Sequence, residues 1–145
     1  MTNPRLPPGL PSMMTMPAVR FAGLLALCSA YIQGPITKIL DFPGAVAEME
    51  HFHLLPGTLF AILVIGFELI ASLLVLTGHL RWIASLALSV FTLLATLIAV
   101  RFWEVPPGYD RLMAMNAFFE HLGLAGAFLI VAWYDLRERR QAGAR

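Results

Sequence analysis

Cysteine and charge are both scarce in this chain. The one cysteine, Cys28, excludes an intramolecular disulfide and any CxxC redox pair, and reads as a small apolar filler in a helix. Charged residues make up 13% of the sequence, against about 25% in an ordinary soluble domain. A net charge of +1 leaves no basic footprint for nucleic acid. No GxGxxG fingerprint, HExxH pair or cysteine cluster is present, so nothing marks the chain as holding its own redox cofactor or catalytic metal.

What the chain has instead is apolar length. Hydrophobic residues reach 59%, with a mean hydropathy of +0.75. They gather in four runs, Ala18 to Leu40, Pro56 to Thr77, Trp82 to Trp103 and Ala117 to Tyr134. Each is close to the roughly 20 residues that cross about 30 Å of hydrocarbon as a helix. The expected fold is all-α: a polytopic membrane protein built as an antiparallel four-transmembrane-helix bundle. Residues 18–134 form the membrane domain, residues 1–17 a disordered proline-rich tail, and residues 135–145 a basic cytoplasmic tail. Four spans place both termini on one side. Arg5, Arg20, Arg81, Arg137, Arg139, Arg140 and Arg145 share that side, against Lys38, Arg101 and Arg111 on the other. The excess of cations predicts cytoplasmic termini.

Glu68 stands near the middle of the second run, about 18 Å along the helix from Pro56 at 1.5 Å per residue. A carboxylate at that depth is expensive to desolvate, which makes it either a packed, hydrogen-bonded structural residue or a functional one. Small and polar residues show which faces turn inward. The spacing predicts seams of Ala22, Ala26, Ser29 and Gln33 in the first span and Ala61, Ile65, Glu68 and Ser72 in the second. In the third the seam is Ser85, Ser89, Thr92, Thr96 and Ala99, and in the fourth Glu120, Gly123 and Ala127.

The outer ends of spans one and three echo each other: Lys38-Ile-Leu-Asp41-Phe-Pro43 against Arg101-Phe-Trp-Glu104-Val-Pro106. In each, a cation precedes an acid by three residues, and a proline ends the helix. Asp41 and Glu104 are thus expected in ion pairs. Lys38, Arg101, Glu120 and His121 would gather above Glu68 as the mouth of a polar pocket, or serve as interfacial charges with snorkelling stems. His51 and His53, near Glu50, are weak metal-ligand candidates because H-x-H in a connecting segment is not a metal signature, so no metal is expected. Trp82, Trp103, Trp133, Tyr109 and Tyr134 lie at span ends, where amphipathic rings anchor helices. Trp103, beside Arg101, is also placed to stack on an aromatic ligand.

The segments GPITKILDFPGAVAEM, LPGTLFAILVIGFELIASLLVLTG, RFWEVP and NAFFEHLGLAGAFLIVA give the chain, from Ala18 onward, a resemblance to the DoxX family of four-helix membrane proteins. The resemblance implies a multi-pass subunit of the bacterial inner (plasma) membrane, associated with redox systems such as quinone-linked thiosulfate oxidation or oxidative-stress enzymes. By position, Lys38 and Glu68 match the family's intramembrane lysine and glutamate. The chain departs from the pattern at Val100-Arg101, where many members carry histidine, and at Glu120-His121, where lysine-asparagine is frequent.

On that basis the expected role is a membrane subunit of a quinone-linked redox complex, with no complete active site of its own. A quinone carbonyl needs a donor such as Lys38, Arg101 or His121, and a quinol needs a proton acceptor such as Glu68 or Glu120. Electrons would come from a cofactor-bearing partner protein. The alternatives are a non-catalytic scaffold or anchor and a small proton-coupled transporter.

Overall fold

Prolines and one glycine set the boundaries of the helices. The computed structural model describes residues 16–144, so the tail expected over residues 1–17 falls almost wholly outside it. Helix α1 (Pro17–Leu40) opens on its proline, whose missing N–H is no loss in the first turn. It stops at Asp41, whose carboxylate accepts the Gly44 N–H at 3.0 Å and so caps α2 (Phe42–His51), a short helix that follows directly. Helix α3 (Gly57–Thr77) ends where Gly78 takes a left-handed conformation (φ 84°) and returns its N–H to the Leu74 carbonyl. The tight turn leads directly into α4 (Arg81–Ala99), so α3 and α4 are antiparallel neighbours. A 3₁₀ turn (Phe102–Glu104) and Pro106-Pro107 precede α5 (Tyr109–Gly143).

Four of these helices are long and apolar enough to cross a membrane, and no strand occurs among the described residues. The fold is the all-α, four-span bundle that the apolar runs predict. The fourth spanning helix, α5, extends past the apolar run Ala117 to Tyr134 at both ends. At 35 residues it runs about 50 Å at 1.5 Å per residue, well beyond the hydrocarbon thickness, and residues 135–143 continue it as helix. Arg20 of α1 and Glu138 of α5 pair at 3.0 Å, which brings the start of α1 and the last turns of α5 to the same end of the bundle.

Helix α1 packs along α3, α3 along α4 and α4 along α5. Its contacts with α4 and α5 are made through side chains: Tyr31 hydrogen-bonds Thr92, and its ring meets Phe128 edge-on at 5.3 Å. Cys28, Val75, Leu88 and Phe128 form the centre of the core. Leu25, Ile62, Leu73, Leu94 and Ile130 stay exposed, as suits a lipid-facing surface, where an apolar exterior carries no penalty.

The seams of α3 and α4 face inward along most of their length: Ala61, Glu68 and Ser72 are buried, as are Ser85, Ser89, Thr92 and Thr96, while Ile65 is half-buried and Ala99, the last residue of α4, is exposed. Two other seams face the wrong way. In α1, Ala22, Ala26, Ser29 and Gln33 are exposed, and the buried stripe is Leu24, Cys28, Tyr31 and Pro35. The spacing is the same but displaced by two residues, about 200° around the helix. Ser29 donates to the Ala26 carbonyl and Gln33 to the Thr37 hydroxyl, so both are satisfied within their own helix and need no neighbour. In α5 the inward stripe is Ala125, Phe128, Ala132 and Asp135, while Glu120 and Gly123 are exposed and Ala127 is half-buried.

Candidate functional site

Glu68 is 8% exposed, and its Oε2 has no hydrogen-bond partner. In a bilayer no water of the medium meets that need. The carboxylate borders a cavity of about 240 Å³, whose walls come from all four spanning helices. Helix α1 contributes Tyr31, Gly34 and Lys38, α4 contributes Thr92 and Thr96, and α5 contributes His121. Gly34 stands opposite the carboxylate: a methyl group there would meet Glu68 Oε2 at 3.8 Å. His121 brings a second unpartnered buried atom, Nδ1, to the same wall.

Thr92 donates to the Leu88 carbonyl at 2.6 Å and Thr96 to the Thr92 carbonyl at 2.6 Å. These hydroxyls satisfy themselves along α4, which leaves Glu68, Lys38 and His121 as the groups able to engage a guest. Lys38 is half-buried, and its Nζ lies 3.5 Å from Glu48 on α2. A second cavity of about 310 Å³, with a mainly apolar wall, shares Lys38, Glu68, Phe91, Ala95 and Ala99 with the first.

The polar residues expected at one mouth separate into several places. Lys38, Glu68 and His121 converge; Glu120, one position from His121, is exposed and is not part of that wall. Arg101 pairs with Glu104 at 3.3 Å and lines, with His51 and His53, a cleft of about 410 Å³ that includes none of Lys38, Glu68 and His121. Asp41 caps α2 and makes no ion pair among the described residues, since Lys38 turns to Glu48 instead. The likeness between Lys38–Asp41 and Arg101–Glu104 therefore does not extend to their contacts. Trp103 is 47% exposed and packs with Phe102 and Phe118 at 5.2 and 5.8 Å, away from the Glu68 cavity. Glu50 lies over Gly57, where an added Cβ would come within 2.7 Å of its Cγ. Among the described residues no three His, Cys, Asp or Glu side chains are placed to hold a metal.

One constellation escaped the sequence reading. Asp135, assigned to the tail, is 5% exposed. Its Oδ2 accepts from Arg139 Nε at 2.8 Å, and its Oδ1 lies 3.7 Å from Arg81 Nη1. Arg81 in turn donates to the Val75 carbonyl at 2.7 Å and Arg139 to the Gly78 carbonyl at 3.2 Å, so the cluster clasps the α3–α4 turn against α5. The signal was present: Ala125, Phe128, Ala132 and Asp135 continue one 3-4-3 stripe.

A family model described as DoxX matches residues 20–101, more than half of the chain. The match includes Lys38 and Glu68 and ends at Arg101, so α5 with His121 lies beyond it, whereas the resemblance was expected nearly throughout. No curated protein and no solved structure matches the chain. With four membrane-spanning helices and the family's pattern across the first three, the chain belongs to the DoxX family of multi-pass membrane proteins.

Proposed function

We propose that this protein is a subunit of a quinone-linked redox complex in the inner (plasma) membrane, with both termini cytoplasmic, and that the Glu68 cavity receives the quinone ring. The observation that carries this reading is the unpartnered Glu68 Oε2 on the wall of a cavity that also presents Lys38 and His121. An apolar cavity of roughly 150 Å³ accepts a benzene ring, so a volume of about 240 Å³ admits a substituted one. The Lys38 ammonium is a donor for one ring oxygen. Glu68 is placed to accept a proton from a ring hydroxyl and to return it. His121 Nδ1 can serve either role according to its tautomer. A quinone supplies the electron acceptor; the electrons come from a cofactor-bearing partner, since the chain carries no motif for a redox group of its own.

The test is mass spectrometry of lipids and proteins co-purified from native membranes. A bound quinone that is lost on Glu68→Gln, with the variant still folded, supports the reading. A parent protein free of quinone, indistinguishable from Glu68→Gln, overturns it. One feature favours an anchoring role besides: α5 continues to Gly143 with Arg137 and Arg140 exposed, a helical surface free to receive a partner. Loss of a co-purifying protein when Arg137→Glu and Arg140→Glu are combined, with quinone retained, would assign recruitment to that extension.

A further inference from the structure

Two chambers meet at Glu68, and their linings differ in kind. The first is the cavity of about 240 Å³ that carries Tyr31, Thr92 and His121. The second, of about 310 Å³, continues from Lys38 and Glu68 between α3 and α4, past Leu54, Phe60, Val64, Leu94 and Ile98. Leu94 and Ile98 are 56% and 37% exposed on the outer surface of α4, so this chamber opens sideways, toward acyl chains. Met49 and Phe52, from α2 and the residue that follows it, line the same chamber with Lys38 and Glu48. The two chambers lie side by side, with Lys38, Glu68, Phe91, Ala95 and Ala99 lining both.

From this we infer that the ligand of the Glu68 site is a tailed amphiphile whose chain leaves the site laterally, toward the bilayer, between α3 and α4. Its polar ring lies in the first chamber and its apolar chain in the second. The inference rests on the ring-binding reading above and adds the ligand's class and the path of its chain. A polar head alone would need no apolar annex. A chain alone would have no use for the Lys38, Glu68 and His121 wall, and apolar contact with it would leave Glu68 Oε2 unpartnered. Moving a chain from lipid into an apolar chamber gains little, because lipid is already as apolar as leucine. The second chamber therefore acts by leaving room for the chain while the head is bound, and its effect is steric.

That distinction determines the test. Binding is measured by equilibrium dialysis, in phosphatidylcholine nanodiscs, of a methylated benzoquinone ring and of the same ring carrying a decyl chain, with empty nanodiscs as blank. Leu94→Trp and Ile98→Trp fill the lateral opening from exposed positions and are checked for a parent-like melt. Each is expected to weaken the decyl probe by about tenfold or more, a factor of ten being ~1.4 kcal/mol, and to leave the ring alone unchanged. Glu68→Gln is expected to weaken both. If the two folded tryptophan variants bind the decyl probe as the parent does, the chain leaves by another route and the inference falls, while parental ring binding preserves the proposed function. An equal loss of both probes in the tryptophan variants also overturns it, since the chamber would then not be specific to the chain. A parent that binds neither probe removes both readings together.

Discussion

Glu68 and Asp135 are the two acidic side chains buried among the described residues, at 8% and 5% exposure, and they have opposite surroundings. Asp135 has an arginine on each oxygen, and those arginines are themselves tied to carbonyls at the end of α3. Glu68 keeps an unpartnered oxygen against a cavity, with the nearby lysine turned toward Glu48. A buried carboxylate with a cation at each oxygen holds helices in place. One left incomplete beside open volume is a place for a guest.

The largest effect expected from this contrast is on stability. Asp135→Ala leaves the mostly buried Arg81 guanidinium without its counter-charge, and removing one partner of a buried pair destabilises by about 3–5 kcal/mol. Glu68→Gln keeps the shape and loses no partner at Oε2, so its change should stay within about 1 kcal/mol. Denaturant titration of both variants in nanodiscs measures the difference. The reverse order would show that Glu68 is the structural carboxylate. On ligand binding the ranking inverts: Glu68→Gln should weaken a bound benzoquinone by about tenfold or more, and Asp135→Asn should leave that affinity where it was.

The same contrast explains what could be read from the sequence. The four spans were legible because crossing a bilayer imposes length and composition on every segment. Glu68 was legible because its neighbours in sequence are uniformly apolar. The inward face of α1 was not: alanine and serine are scattered around that helix, and Ser29 and Gln33 bond within it. Asp135 was missed because it follows the last strongly apolar run, where a charge reads as solvated; only the continuing stripe from Ala125 marked it. The pairing of Lys38 with Glu48 depends on how α2 folds back across α1, which no local pattern specifies.

A smaller effect is expected at Tyr31. Its hydroxyl is the buried link between α1 and α4, through Thr92, while Thr92 keeps its own bond to the Leu88 carbonyl. Tyr31→Phe therefore removes one hydrogen bond without orphaning its partner and should cost about 1 kcal/mol. Thermal melts of Tyr31→Phe and Thr92→Val, singly and together, would show the coupling as a double mutant less destabilised than the sum.

The smallest effect tests whether burial, and not pairing as such, sets the difference. Glu138 lies three residues beyond Asp135 on the same helix and is likewise paired with an arginine of another helix, Arg20, at 3.0 Å. Its side chain is 55% exposed and that of Arg20 48%, so water compensates either charge when the other is removed. Glu138→Ala should cost less than about 1 kcal/mol, and what it costs should shrink further as ionic strength rises. Asp135→Ala should retain most of its deficit in the same salt series, because its buried partner Arg81 is screened far less than the exposed Arg20. If both variants lost stability equally, with the same salt response, Asp135 would be one more surface pair and the contrast with Glu68 would reduce to position along the bundle.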